Sequence, residues 1–348
     1  MMRENPYTLV FGKEPEEMIA RHIQTNMVLD AFRAEHPNQQ VYIITGPRGS
    51  GKTVLMTEIS RRLKESDGWI VTELNPERDM LQTLASKLAS ENVLAQIFQE
   101  AKINLSFFGI GAEITGAAPI RDIEVALTRM IESLKKKGKR LLITIDEAVG
   151  SQNMKIFAGS FQIFLRQNLP VFLLMTGLFE NIRLLQDEKT LTFLYRAPRI
   201  ELRPLNIGTI ADNYRRNLPV DEETALDMAK LTRGYAFAFQ VLGYFCFEKQ
   251  ELTEEVLQNF KQYLQDYVYE KIWSELSQRD RELCYAISKS GSDKISEIRQ
   301  IMGIDTNHFS PYRKRLIDRG ILQGDTRGHV RFILPLFENY VIENYEAV

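Results

Sequence analysis

Val41-Tyr42-Ile43-Ile44-Thr45 runs directly into Gly46-Pro47-Arg48-Gly49-Ser50-Gly51-Lys52-Thr53. The first five residues read as a buried strand, and the next eight match the spacing G-x-x-x-x-G-K-[ST]. Beyond them Val54, Leu55, Ile59 and Leu63 fall on one face of a helix. The order strand, glycine-rich turn, helix carries a mechanism. Glycines let backbone N–H groups converge on phosphate oxygens, and the helix N-terminus adds partial positive charge. In that arrangement Lys52 reaches the β- and γ-phosphates and the Thr53 hydroxyl takes a place on Mg²⁺.

Outward from this loop, Trp69 to Leu74, Leu141 to Ile145, Val171 to Met175 and Arg199 to Leu202 read as further strands. Helical stretches separate them, including one long helix expected from Glu77 to Gln99. Strands alternating with helices predict an α/β fold, a parallel sheet covered on both faces, over residues 1–205. Within it, Ile103, Leu105, Phe107 and Ile110 with Gly109, Gly111 and Gly116 suggest an inserted β-hairpin over 101–118. After Pro204 no strand is legible, and residues 206–273 read as an all-α segment punctuated by Pro219 and Gly234. Leu257, Phe260, Leu264 and Tyr267 there form a core stripe at helical spacing. Residues 274–348 shorten into helix, short helix, turn, helix and a hairpin-like end, which is the order of a winged helix-turn-helix.

Phosphoryl transfer needs an acid for the metal and a group to orient the attacking water. The strand ending at Ile145 delivers Asp146-Glu147 at its C-terminal edge, with Asp146 as Mg²⁺ ligand and Glu147 as base. Thr176 closes the fourth strand, within reach of a γ-phosphate or the water. Arg196 and Arg199 precede the fifth strand. An arginine there would stabilise transition-state charge in a neighbouring copy, which implies a homo-oligomer.

Composition sets the outer bounds. The 348 residues carry 44 Lys plus Arg against 46 Asp plus Glu, a formal charge of −2, which excludes a uniformly polycationic binder. Cys246 and Cys284 lack metal-ligand spacing and form no disulfide framework. The opening residues lack the apolar core of a signal peptide. The longest apolar run, Tyr235 to Phe247, is too short for a bilayer, so a cytoplasmic protein without membrane contact is expected. Charge is nonetheless concentrated: between Asn307 and Arg331, six cations stand against Asp318 and Asp325. His308, Ser310, Arg313, Lys314, Arg315, Arg327 and Arg331 are the residues placed to meet double-stranded DNA. The same segment would also serve as a protein-interaction module or a packing surface.

Asn5-Pro6-Tyr7, Phe11-Gly12-Lys13-Glu14-Pro15 and Ala20-Arg21, together with Ile44 to Thr53, resemble the AAA+ and related signal-transduction P-loop ATPases. The resemblance is greatest to the prokaryotic group akin to archaeal ATPases and origin-recognition initiators. It implies a nucleotide-binding domain, a helical lid and a C-terminal winged helix. It further implies ATP or ADP as ligand, with Phe11 to Arg21 around the adenine, Gly46 to Val54 on the phosphates, a sensor role for Thr176 and a finger-like role for Arg196. This chain departs from the pattern at Ala20-Arg21, where many relatives have Gly-Arg. It departs again at Gly234-Tyr235-Ala236-Phe237, which carries neither the proline nor the arginine found there in relatives, and Arg233 stands one turn early. The expectation is a slow, switch-like ATPase acting on or near DNA. The alternative is a nucleotide-dependent signalling or scaffolding switch that binds a protein partner without DNA contact.

Overall fold

Five parallel strands form the first layer: β1 (Val41–Thr45), β2 (Trp69–Glu73), β3 (Arg140–Ile145), β4 (Val171–Gly177) and β5 (Arg199–Glu201), in the order β2-β3-β4-β1-β5. The structure is a computed structural model and describes residues 4–10, 15–111, 116–188 and 191–345. The chain divides into two units, Arg21–Thr45 with Lys52–Glu201, and Met1–Ala20 with Gly46–Gly51 and Leu202–Val348.

In the unit that holds the sheet, every residue of β1 and β4 is buried. Continuous apolar runs of this kind belong to strands covered on both faces. On one face Phe32, Tyr42, Trp69 and Phe172 form a ring cluster, with Phe32 and Phe172 centroids 5.0 Å apart. Arg140 closes it: its guanidinium lies 5.8 Å from the Trp69 ring and donates to the carbonyls of Phe32 at 2.7 Å and Ala34 at 2.9 Å. The end of the helix His22–Arg33 is thereby tied to β3. On the other face Ile43, Ile143, Leu173 and Met175 join Phe157, Phe161 and Phe164 of the helix Gln152–Arg166 in one cluster.

Two expectations need correction here. The long helix over 77–99 is two helices, Met80–Ser90 and Asn92–Glu100, broken at Glu91 with φ −79° and ψ 118°. Ser90 contributes to the break, since its hydroxyl donates back to Lys87 O at 2.8 Å. The described residues of 101–118 form no strand; they make an irregular segment with one short 3₁₀ turn, Ser106–Phe108. Ile103, Leu105 and Ile110 are buried against the helical layer, so they supply core where an inserted β-hairpin was expected.

The other unit is built on helices from Ile207–Asn217 to Phe337–Tyr345. The segments 206–273 and 274–348 share a single apolar core that runs from Tyr7 to Val341. Tyr269 and Trp273 carry the junction, packing edge-on against Phe337 and Tyr340, and the Tyr269 hydroxyl donates to Pro335 O. The stripe expected at Leu257, Phe260, Leu264 and Tyr267 holds only in part. Phe260 and Leu264 are buried, but Tyr267 is 55% exposed and Val268 takes the core position. A π-helical stretch, Gln265–Tyr269, adds one residue to the turn and rotates the face. The apolar run beginning at Tyr235 becomes the helix Ala236–Lys249, buried along most of its length. Among the described residues no helix is long and apolar enough to cross a membrane.

Tyr7 is clasped into this core, its hydroxyl donating to Asn213 Oδ1 at 2.8 Å. Gln240 accepts from Thr8 N at 3.0 Å and donates to Glu17 O at 2.7 Å. Both cysteines are buried and free. Burial pushes the Cys246 thiol up to about 11 and raises that of Cys284 as well. At pH 8 the Cys246 thiolate is therefore about one part in a thousand of its total. Native protein should react with an aromatic disulfide reagent far more slowly than urea-unfolded protein, which should titrate both thiols; fast native reaction would refute the packing.

Candidate functional site

The register brings the C-terminal ends of three strands level, with Ile145 opposite Met175, and Thr45 opposite Gly177. Catalytic groups in open parallel sheets collect at this edge. Asp146 follows β3 and accepts the Thr53 hydroxyl on Oδ2 at 2.9 Å. Its Oδ1 accepts the hydroxyl of Thr176, the penultimate residue of β4, which is fully buried. The Glu147 N–H donates to both Asp146 Oδ1 and Thr176 Oγ1, each at 3.1 Å. One carboxylate thus joins the loop threonine to the strand threonine, and the adjacent amide completes the ring.

Glu147 itself is exposed and has φ +50°, a left-handed backbone that costs a non-glycine residue about 1 kcal/mol. Two acids after a strand often cap the following helix. Here that helix is capped by Ser151, whose Oγ accepts from Met154 N at 3.2 Å, so both acids are spared. The donor set suits a hard cation, since a carboxylate and a hydroxyl are oxygen ligands of the kind Mg²⁺ takes alongside phosphate and water. Among the described residues no group of three or more His, Cys, Asp or Glu is placed to hold a metal unaided.

The glycine-rich stretch Gly46–Gly51 belongs to the other unit. Gly49 and Gly51 have φ of +69° and +89°, the backbone that requires glycine. Arg48 O accepts the Tyr235 hydroxyl at 2.7 Å, and Gly49 O accepts Phe237 N–H at 3.0 Å. The Arg48 guanidinium pairs with Glu275 at 3.3 Å, and Pro47 packs against Gly320. Lys52 opens the helix Lys52–Lys64, with Thr53 and half-buried Val54 in its first turn. Sequence reading missed Tyr235, Phe237 and Glu275; an aromatic directly after Gly234 was the available signal.

The remaining candidates are dispersed. Phe11 lies outside the described residues. Arg21 is half-buried ahead of the helix His22–Arg33, and burial lowers its guanidinium to about 10. Arg196 is exposed beside a cavity of about 360 Å³ that Val41 also lines. Val41 starts β1, so Arg196 stands at the sheet edge opposite to Asp146. Arg199 is likewise exposed, 5.4 Å over the Phe179 ring. Arg233 is committed to the C-terminal segment, donating to Phe332 O, Leu334 O and Glu338.

In that segment the helices Gln278–Ser290, Ile295–Met302 and Thr306–Asp318 precede the antiparallel pair β6 (Leu322–Gln323) and β7 (Arg331–Phe332). The basic residues are not equivalent. Arg315 is engaged internally, with two bonds of 2.6 and 2.9 Å to Asp280 Oδ1, a third to Ser277 Oγ, and its charge over the Tyr312 ring. Arg313 donates to Gly324 O at 3.0 Å. Arg313 and Arg315, expected among the residues that meet DNA, thus also carry hydrogen bonds within the chain. His308 folds back on Asp305 at 2.8 Å and lowers that carboxyl through backbone and side-chain hydrogen bonds. Ser310 is exposed with its hydroxyl on Thr306 O, Arg331 is exposed with Nε on Gln323, and Lys314 and Arg327 are exposed.

The sheet order and the ring about Asp146 define the fold of an AAA+ P-loop ATPase. Residues 17–156 match the AAA ATPase domain family, and residues 266–341 match a domain of unknown function (DUF8462). No curated protein matches the sequence. Among solved structures, the chain is similar to the Walker-type ATPase of Pyrococcus abyssi, with 18% identity, TM-score 0.64, and 94% of this chain and 97% of that chain covered. It is also similar to the Aeropyrum pernix ORC2 protein in its ADPNP–ADP complexes, with 14% identity, TM-score 0.60, and coverage of 97% and 98%. The likeness to these two structures is one of fold.

Asp280 is 1% exposed on its side chain, while Arg315 retains 40%. Removing the arginine leaves the buried carboxylate with only the Ser277 N–H and hydroxyl as partners, a loss moderated by that exposure. Arg315→Ala should lower stability by roughly 2 kcal/mol, read as a shifted urea midpoint at pH 7; an unchanged midpoint would return Arg315 to the outward face.

Proposed function

We propose that this chain binds ATP and hydrolyses it slowly, as a nucleotide-dependent switch acting on or near duplex DNA. The observation that carries the reading is the bond between Thr53 and Asp146, the two groups a magnesium–nucleotide site needs, at the edge where three strands end. Gly46 to Val54 would hold the phosphates, with Lys52 neutralising their charge, and Phe11 to Arg21 would enclose the adenine. Mg²⁺ bound at Thr53 and Asp146 would supply charge neutralisation at the transferring phosphoryl group. Glu147, exposed and spared from capping, takes the proton of the attacking water. Thr176 fixes the rotamer of Asp146 and the direction of the Glu147 amide, so both acids are held in register. The ADPNP–ADP complexes of the Aeropyrum protein belong to the same ligand class.

Arg196 stands at the opposite sheet edge, so its proposed target is the nucleotide of a second copy of the chain. The segment 274–348 is read as a winged helix, with the helix Thr306–Asp318 and the β6–β7 loop toward DNA. Its contacts are proposed at His308, Ser310, Lys314, Arg327 and Arg331, with Arg313 close by. The internal commitment of Arg315 lends some weight to the rival reading, a signalling switch whose C-terminal segment binds protein.

Lys52→Ala should abolish tight ATP binding. Glu147→Gln should retain it while lowering turnover by about a hundredfold or more, since an amide cannot accept the proton. Wild-type turnover in the Glu147 variant, measured across protein concentrations, would sink the assignment of the base.

For DNA, combined replacement of Lys314, Arg327 and Arg331 by Gln should weaken duplex binding and flatten its dependence on log salt by about one unit per lost contact. ATP affinity should be unchanged. A wild-type protein that binds no duplex at low salt would favour the protein-partner reading.

A further inference from the structure

Within the unit that contains it, the loop Gly46–Gly51 is held by the residues that start the helix Ala236–Lys249. The Tyr235 hydroxyl donates to Arg48 O at 2.7 Å, and Phe237 N–H donates to Gly49 O at 3.0 Å. These are successive carbonyls of the loop. In a trans peptide the C=O of one residue points opposite to the N–H of the next, and no described peptide bond is cis. Turning the carbonyls of Arg48 and Gly49 toward Tyr235 and Phe237 therefore turns the N–H groups of Gly49 and Ser50 away. The Ser50 N–H closes a loose turn on Pro47 O at 3.3 Å, and the trans peptide turns the Gly49 N–H away from Tyr235.

Several features show that this grip is built. Tyr235 is only 2% exposed. Burial raises its pKa, against a smaller lowering by Arg48, so the hydroxyl remains a donor at any working pH. Gly234, with φ +75°, admits no side chain, because a Cβ would meet the Leu205 carbonyl. Its own carbonyl accepts Leu205 N–H at 2.8 Å, and Tyr235 N–H is bonded to Thr232 O at 2.9 Å. At the loop, a Cβ on Gly49 would collide with the Tyr235 hydroxyl and lie 2.9 Å from Phe237 Cβ. Glycine is thus required at 49 by close approach as well as by φ.

We propose that Tyr235 is a positioning residue for polyphosphate binding: its hydroxyl holds the Arg48 carbonyl so that the following N–H is presented to a phosphate oxygen. The inference rests on the nucleotide reading above and adds to it the group that pre-sets the loop. The effect is preorganisation, since a free glycine-rich loop would have to be ordered when the ligand binds. A backbone donor preset in this way acts on ground state and transition state alike, so it governs affinity and leaves the chemical step alone.

Tyr235→Phe deletes one oxygen and keeps the ring packing, which suits it to the test. ATP and ADP affinities, each with Mg²⁺, are measured by calorimetry on wild type and variant, with kcat and KM for ATP hydrolysis. Both affinities should fall by about tenfold and by the same factor, the scale of one hydrogen bond. KM should rise in step while kcat stays within about twofold. The urea midpoint without nucleotide checks that folding is intact, and Tyr235→Leu, which also lacks the hydroxyl, should reproduce the affinity loss if Phe itself proves unstable. Equal ATP affinity in wild type and Tyr235→Phe overturns the inference and leaves the nucleotide reading standing. A fall in kcat with unchanged KM also overturns it. A wild-type chain that binds neither nucleotide removes both.

Discussion

Parallel strands cannot be joined by tight turns, so each strand must return across a face of the sheet before the next begins. That constraint organises the rest of the first unit. It puts helices on both faces, buries β1 and β4 completely, and leaves all five strands pointing the same way. Every loop that leaves a C-terminal strand end then emerges at one edge. Because β4 lies between β3 and β1, the residues after β3 and the last residues of β4 meet the start of the helix Lys52–Lys64 there. The ring of Thr53, Asp146, Thr176 and the Glu147 amide follows from that strand order.

The second unit solves a different problem. Its helices have only the short β6–β7 pair to cover and must bury most of their faces against one another, and the result is one core from Tyr7 to Val341. Tyr269 and Trp273 carry that core from the middle helices to Phe337 and Tyr340. The C-terminal helices therefore lean on the preceding ones and share their stability. The same economy consumes part of the basic charge: Arg233, Arg313 and Arg315 are spent on carbonyls and on Asp280. A count of cations along the chain overstates the charge available to a partner, because long side chains satisfy buried acceptors as readily as they meet phosphate.

Much of this was legible in the residues. The strands were found within one or two positions because parallel, doubly covered strands are written as unbroken apolar runs. The loop was found because positive φ demands glycine at fixed places. Where reading failed, the cause was local competition. Ser90 and the non-helical backbone at Glu91 split a helix whose apolar spacing continued across the break. The π-helical insertion moved the core from Tyr267 to Val268 by a single residue. The glycines around 109–116 resembled hairpin turns, yet Ile103, Leu105 and Ile110 had a larger core to join.

The sequence by itself determined the parts of the candidate site: a strand, a glycine-rich loop with Lys52 and Thr53, and an acid pair after a later strand. Those features depend on local geometry and residue type, which survive in one dimension. Only the tertiary structure decided which groups touch. Asp146 meets Thr53 and Thr176 across 93 and 30 residues of chain, and Tyr235 reaches Arg48 across 187. Such pairings are set by the order in which strands and helices pack. That order is a property of the whole fold, because burying every apolar face at once leaves few arrangements open, and no single stretch of sequence encodes the choice.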